Sequence, residues 1–192
     1  MKPTTDDILI FKAVLLYIIS HSEEKKRDVY SIVKTAFYAQ QISFVKWGCP
    51  IFNDDICALP FGPAPSTLYG VLRMARGEEK EISFHRYDDL HLASDAINYE
   101  NERFSIREDP DLDYLSEADI ECLNEAIQKV AEMSFDEIVD ATHGEEWSRT
   151  YYSPTPGRKV MDNLKIAEEG GANEDVIRYL SDYYTVKLAL GC

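Results

Sequence analysis

The chain has 192 residues, 45% of them hydrophobic and 11% aromatic, which is the composition of a folded globular protein. Its formal net charge of −15 at pH 7 argues against binding to nucleic-acid phosphates or to an anionic membrane, because both need clustered lysine and arginine. The apolar run from Ile8 to Ile19 is too short to span a bilayer and lacks the basic flank of a signal sequence. We therefore expect a cytoplasmic protein that binds neither nucleic acid nor membrane, with its cysteines as reduced thiols.

The negative charge is concentrated in two segments. Nine acidic residues and two arginines lie between Glu100 and Glu121, and six acidic residues with no lysine or arginine lie between Glu132 and Glu146. Such segments are usually the solvated face of a soluble protein. The alternative is a docking surface, because the same field would speed the encounter with a basic partner.

Hydrophobic spacing predicts two long helices and a small hairpin in the first third of the chain. An apolar stripe beginning at Ile8 predicts the first helix. The second is expected from about Asp28 to Trp47, because Gly48 and Pro50 follow it. Two short apolar pieces around the polar turn Asn53–Asp55 predict a hairpin or a strand-like loop.

The next stretch, LPFGPAPSTLYGVL (residues 59–72), is rich in proline. A phosphate-binding loop needs several glycines and free backbone N–H groups, whereas the turn FGPAPST (61–67) has Gly62 as its one glycine and two prolines, Pro63 and Pro65, without an N–H. We predict a rigid corner that opens a helix from about Pro65 to Arg76, with Gly77 as its stop.

The remaining sequence predicts short strands and further helices. The expected elements are a strand over 82–87, a helix over 88–97, a strand over 102–106, helices after the capping boxes Ser116/Asp119 and Ser134/Glu137, a short helix over 162–168 and a last helix capped by Asn173. Together these predict a mainly α, single multi-helix domain with two or three short β-strands or a small hairpin. Residues 1–150 are expected to form the body, with 151–192 as a C-terminal helical extension packed on it.

No pattern in the sequence predicts a catalytic centre. A Gly-x-Ser-x-Gly elbow and a Cys-x-x-Cys pair are absent, and His85 and His91 lack a third ligand at metal-site spacing. His143 stands at a predicted helix end, where an imidazole can bond the last carbonyls. We predict no enzyme activity, no metal and no cofactor. The alternatives are a hydrolase or metal-dependent enzyme built from these histidines and the many acids, and a scaffold protein carried by a mobile element.

Three separated stretches carry a resemblance to one protein family. They are KTAFYAQQ (34–41), GCPIFNDDICALPFGPAPSTLY (48–69) and LSEADIECLNEAIQKVAEMSFDEIVDATHGEEW (115–147). In order and spacing they resemble the Panacea, or SocA-like, antitoxin family, which includes the phage-associated GepA proteins. The chain departs from the family pattern at Phe37, Leu59 and Ala64, where the family often has Tyr, Trp and Val.

The resemblance implies a mostly helical domain that acts as the antitoxin of a two-gene toxin–antitoxin pair. The implied partner is a cognate toxin encoded by an adjacent gene, which the protein would neutralise by direct binding. At least one family member is an adaptor that delivers its toxin to a protease, so a protease is a second implied partner. The resemblance implies no catalysis.

We expect aromatic anchors, and polar groups near the proline-rich corner, to contact the partner. Lys34 and Gln40 are polar residues among apolar neighbours, so they either form a buried hydrogen-bonded pair or line a small polar pocket beside Gly62 and Pro63. The aromatic candidates are first of all core candidates, because aromatic residues at helical spacing usually pack inside. The candidate partner-binding residues are Lys34, Tyr38, Gln40, Trp47, Gly62, Pro63, Ser66, Tyr69, His143 and Trp147.

Overall fold

Two long helices lie at the centre of the fold. The computed structural model describes residues 5–78 and 90–190. Helix α1 (Thr5–His21) is buried around most of its circumference, and α2 (Val29–Trp47) is buried along most of its length. The predicted bounds of α2 are confirmed, because Asp28 accepts the Ser31 N–H at its start and Gly48, with φ of +62°, ends it.

Shorter helices pack around this pair and complete a mainly α domain, as predicted. Both predicted capping boxes are confirmed, at Ser116 and at Ser134. Helix α7 was not among the elements expected from the sequence. Within the described residues, no helix combines the length and the apolar character needed to cross a membrane. The shorter helices are α3 (Ser66–Ala75), α4 (His91–Ser94), α5 (Glu117–Glu132), α6 (Phe135–Thr142), α7 (Glu145–Tyr151), α8 (Asn163–Glu169) and α9 (Glu174–Leu190).

The first hairpin lies later in the chain than the sequence indicates. Strand β1 (Ile56–Leu59) pairs antiparallel with β2 (Gly62–Pro65), so the turn falls between them and not at Asn53–Asp55. The expected rigid corner is therefore strand β2, at an edge of the sheet. An edge strand tolerates proline because the side that faces away from its partner strand needs no backbone N–H donors. The polar turn has another role, since the carboxylate of Asp54 accepts the Thr67 N–H at the start of α3 at 2.8 Å.

A C-terminal segment, residues 159–161, lies along the other edge of β1, and we call it the strap. Ala58 N–H donates to the Lys159 carbonyl, and Met161 N–H donates to the Ile56 carbonyl, each at 2.8 Å. Helices α8 and α9 both pack on α2. The boundary between body and extension at residue 150 stays a prediction.

In the described residues, the helix expected over 88–97 is reduced to the short helix α4, and the second hairpin begins just after it at Ile97. Strand β3 (Ile97–Glu100) pairs with β4 (Arg103–Ile106), which confirms the strand expected over 102–106. Asn101 and Glu102 both have positive φ, 50° and 63°, which matches the tight turn of a two-residue hairpin. Only α4 is helical in the described part of the expected helix, and the strand expected over 82–87 lies outside the described residues.

Candidate functional site

A cavity opens between the start of α2 and the first hairpin. Its volume is about 390 Å³, which lies in the range of small-molecule sites. Most of its lining is apolar, and Lys34 is the one lysine or arginine among the described residues that line it. The lining comprises Val29, Tyr30, Val33 and Lys34 of α2, residues 59–64 of the hairpin, and Tyr69 of α3.

The ammonium group of Lys34 is buried against the hairpin. Only 2% of the residue is exposed, because it lies on the inward face of α2. Nζ donates to the Pro63 carbonyl at 3.0 Å and to Thr142 Oγ1 at 3.4 Å. Burial lowers the pKa of Lys34 to about 7, because the charged form loses its hydration. The side chain of Lys34 therefore changes between its charged and its neutral form near neutral pH.

Gly62 brings the hairpin close to Lys34. Its φ is +95°, a conformation that favours glycine, and a Cβ added there would lie 2.5 Å from Lys34 Nζ and 2.6 Å from Thr142 Oγ1. The same added atom would lie 3.2 Å from Cδ2 of His143. The hairpin, α2 and the end of α6 therefore meet at one point.

A stack of rings continues from this point. The His143 and Trp147 rings are parallel with centroids 3.6 Å apart, and Tyr151 stacks on the other side of Trp147 at 4.8 Å. Trp147 Nε1 donates to the Leu59 carbonyl at 3.0 Å, which attaches α7 to the end of β1. Burial, and then the charge of Lys34, lower the pKa of His143.

Two aromatic residues that line the cavity, Tyr30 and Phe61, contact Phe135 beside it, and we call these three residues the aromatic rim. Phe135 lies 4.5 Å from the Tyr30 ring and 5.9 Å from the Phe61 ring, measured between centroids. Phe61 is 62% exposed and Phe135 is 49% exposed. Phe135 also belongs to the acidic segment between Glu132 and Glu146, so an apolar surface and a strong negative field lie side by side.

Comparison with known families gives one decisive result. The family model for the antitoxin SocA-like, Panacea domain matches residues 32–148, which is more than half of the chain. This chain belongs to the Panacea domain family. No curated protein and no solved structure matches it. The resemblance seen in the sequence is therefore confirmed at the level of the family.

The Panacea match contains most of the cavity. Lys34, the first hairpin and Tyr69 lie inside it, whereas Val29 and Tyr30 precede it and the strap follows it. Two of the positions at which the chain departs from the Panacea pattern, Leu59 and Ala64, line the cavity.

Six of the candidate residues gather at this site. Four of them line the cavity: Lys34, Gly62, Pro63 and Tyr69. His143 and Trp147 stand immediately behind the hairpin. Whether any of these residues binds a partner stays a prediction.

The other four candidate residues have partners elsewhere. Gln40 holds the loop before β1, with Nε2 donating to the Phe52 carbonyl at 2.9 Å and Oε1 accepting the Ile51 N–H at 3.0 Å. The alternative of a Lys34–Gln40 pair is therefore wrong. Ser66 donates to Asp54 Oδ1 at 3.1 Å at the start of α3.

Tyr38 and Trp47 have different environments along α2. Tyr38 is buried, and the Lys129 ammonium lies 4.0 Å from the centroid of its ring. Trp47 is 46% exposed at the end of α2, far along the helix from the cavity. The expectation of a core position is therefore correct for Tyr38 and wrong for Trp47.

The aromatic rim was missed from the sequence, although each of its three residues carried a signal. Phe61 is a large apolar residue at the tip of a turn, where exposure is the usual outcome. Phe135 directly follows the N-cap Ser134 and does not lie on the buried face of α6, which includes Ile138. Tyr30 lies one turn before Lys34 on α2, a spacing that places both on one face.

The structure brings no metal-binding group together in the part of the chain it describes. No three His, Cys, Asp or Glu side chains are clustered there as ligands. His143 stacks on Trp147 instead, and His91 begins the short helix α4. His85 lies outside the described residues.

Proposed function

We propose that this protein is an antitoxin that neutralises a toxin protein, encoded by an adjacent gene, by binding it directly in the cytoplasm and without catalysis. Membership of the Panacea family supports the general antitoxin role. The observation that carries the proposal is the aromatic rim, because exposed clustered aromatic residues are the usual anchors of protein interfaces.

The rim offers a partner both contact area and a place to insert. Phe61 and Phe135 are large, 62% and 49% exposed, and in contact with each other. The cavity beside them accepts a side chain from the partner, since its lining is mostly apolar. Burying such a side chain stabilises the complex by roughly 1.5–3 kcal/mol.

The acidic segment beside the rim favours a basic partner. Asp136 and Asp140 lie on α6 and are exposed, and within the described residues neither forms an ion pair, so their charges are available to an approaching protein. Such a field raises the association rate more than it raises the final affinity. The proposed complex is therefore steered by acids and held by aromatic side chains.

The test is co-expression with the product of the adjacent gene. We expect that product to stop growth when expressed alone, and the wild-type protein to restore growth and to co-purify with it. The double variant Phe61→Ser/Phe135→Ser should lose at least about tenfold in affinity, because two anchors are removed. Tyr179→Ser is the matched control, because Tyr179 is 60% exposed on α9, outside the rim.

The outcomes separate the parts of the proposal. Equal growth with and without this protein, or no co-purification, would overturn it. Unchanged affinity in the folded double variant would mean that the aromatic rim is not part of the interface. The level of the toxin, followed by immunoblot, distinguishes masking from delivery to a protease, since only delivery lowers it.

A further inference from the structure

Lys34 is a buried cation with no opposite charge beside it. Its two hydrogen-bond acceptors, the Pro63 carbonyl and the Thr142 hydroxyl, are both neutral. Among the described residues no carboxylate forms an ion pair with it, and loss of hydration is the one influence that shifts its pKa. An ammonium has three donors, so one is left for another acceptor. Buried charges are otherwise paired, which makes this arrangement unusual in a protein with 35 acidic residues.

A second donor lines the same cavity. The Tyr30 hydroxyl is buried and has no hydrogen-bond partner among the described residues. The Tyr30 ring centroid lies 5.4 Å from Lys34 Nζ, so both polar groups belong to one small region. A buried hydroxyl without a partner is costly, and such groups usually mark a place that another molecule completes.

We propose that the cavity binds a small organic acid, with its carboxylate on Lys34 and Tyr30 and its apolar body against the hairpin. The carboxylate would accept from the free position on Lys34 Nζ and from the Tyr30 hydroxyl. The apolar lining, which includes Val33, Leu59 and Ala64, would cover the rest of the ligand. This inference does not depend on toxin binding, because its test uses the isolated protein; a bound acid and a side chain of the partner would compete for the cavity.

The chemistry of the cavity selects a monoanion. A phosphate or a dicarboxylate brings two charges and needs several cationic donors, whereas the described lining supplies Lys34 alone. The neighbouring acidic segment would repel the additional charge. One carboxylate on a ring or branched chain neutralises Lys34 and fills the apolar space.

The test measures binding of two probes of the same shape by calorimetry. They are 4-phenylbutyrate and its amide, 4-phenylbutanamide, which differ in charge at the head group. We expect the acid to bind the wild-type protein at least about tenfold more tightly than the amide at pH 6.5. The variant Lys34→Met should lose that preference. Lys129→Met should keep it, because Lys129 lies over Tyr38 and does not line the cavity.

The pH dependence gives a readout that needs no variant. The pKa of Lys34 in the protein without ligand is about 7, so binding of an anion at pH 8 should be accompanied by uptake of a proton. The uptake is measured by comparing binding enthalpies in buffers of different ionisation enthalpy. Affinity for the acid should fall by up to about tenfold per pH unit above pH 7. The titratable neighbours do not obscure this, since the pKa of His143 is lowered and that of Tyr30 is raised to about 12.

Three results would overturn the proposal. They are equal affinity for acid and amide, absence of binding at roughly 10 mM acid, and an unchanged preference in a folded Lys34→Met variant. If that variant does not fold, the comparison of probes and the proton uptake in the wild-type protein decide. A peptide ending in a phenylalanine carboxylate that binds much more tightly than 4-phenylbutyrate would assign the cavity to a polypeptide end instead.

Discussion

The backbone of Gly62 lies so close to Lys34 that a methyl group on Gly62 would stand 2.5 Å from Lys34 Nζ. This contact places the hairpin, α2 and the end of α6 in a fixed relation, and it defines the inner end of the cavity. The positive φ of Gly62 makes the approach possible, because a side chain would favour another backbone conformation.

Replacement of Gly62 should therefore cost more stability than its conformation alone explains. We expect Gly62→Ala to lower the free energy of unfolding by about 3 kcal/mol, from backbone strain and from the clash with Lys34 and Thr142. Gly157→Ala is the control, because Gly157 has φ of +104° with nothing within 4 Å of an added Cβ. It should lose about 1 kcal/mol in urea denaturation. Equal losses in the two variants would contradict the close contact.

The pKa of Lys34 predicts how stability changes with pH. The folded pKa is about 7 and the unfolded value is about 10.4, so between these values the unfolded chain binds the additional proton. The wild-type protein should therefore gain stability relative to Lys34→Met as pH rises from 7 to 9, by at most about 1.4 kcal/mol per pH unit. Urea denaturation at several pH values measures the difference.

Lys46 supplies the control on the same helix. Hydrogen bonds to Glu121 and Glu125 raise the pKa of Lys46, so it is charged in both the folded and the unfolded state over this pH range. The stability difference between wild type and Lys46→Met should stay constant from pH 7 to 9. A constant difference for Lys34→Met as well would show that Lys34 titrates normally.

Gln40 should be a stability residue and not a binding residue. Its side chain pairs with backbone groups of Ile51 and Phe52, which are buried. We expect Gln40→Ala to cost about 2–3 kcal/mol, because those groups lose their partners. Gln41→Ala, which removes one bond to the Ile166 carbonyl at 3.1 Å, should cost about 1 kcal/mol. A loss of toxin affinity in a folded Gln40→Ala protein would contradict this assignment.

The exposed acids of α6 should govern the rate of partner association. We expect Asp136→Asn/Asp140→Asn to lower the association rate by about threefold to tenfold at low salt, with little change in dissociation. The matched control is Glu174→Gln/Asp182→Asn on α9, which removes the same charge elsewhere. Stopped-flow or surface-based kinetics at two salt concentrations measures both. Equal slowing in the two double variants would mean that net charge, and not its position, matters.

Local signals explain how much of the fold could be predicted from the sequence. The Asp28 cap, the Gly48 stop and the two capping boxes act within four residues, so the helices that they bound were predicted correctly. The first hairpin was misplaced because Asp54 turns inward to bond the start of α3, a contact across a sequence separation of 13 residues. No local rule predicts that Asp54 caps a helix instead of forming a hairpin turn.

In the candidate site, too, local features could be predicted from the sequence and long-range contacts could not. Sequence reasoning found Lys34, Gly62 and His143 separately, because each is an unusual residue for its position. Their meeting depends on the Lys34–Thr142 bond, which spans 108 residues. The exposure of Phe135 depends on how α6 lies against Tyr30, which hydrophobic spacing along a single helix does not report.

The strap has a consequence for any fragment that ends close to the last residue of the Panacea match. Residues 159–161 lie beyond the Panacea match, yet they occupy the outer edge of β1. A fragment ending near residue 150 would leave the Ala58 N–H and the Ile56 carbonyl open to water or to a second chain. Such a fragment should self-associate through that bare strand, and its hairpin would no longer hold the cavity in the shape of the intact protein.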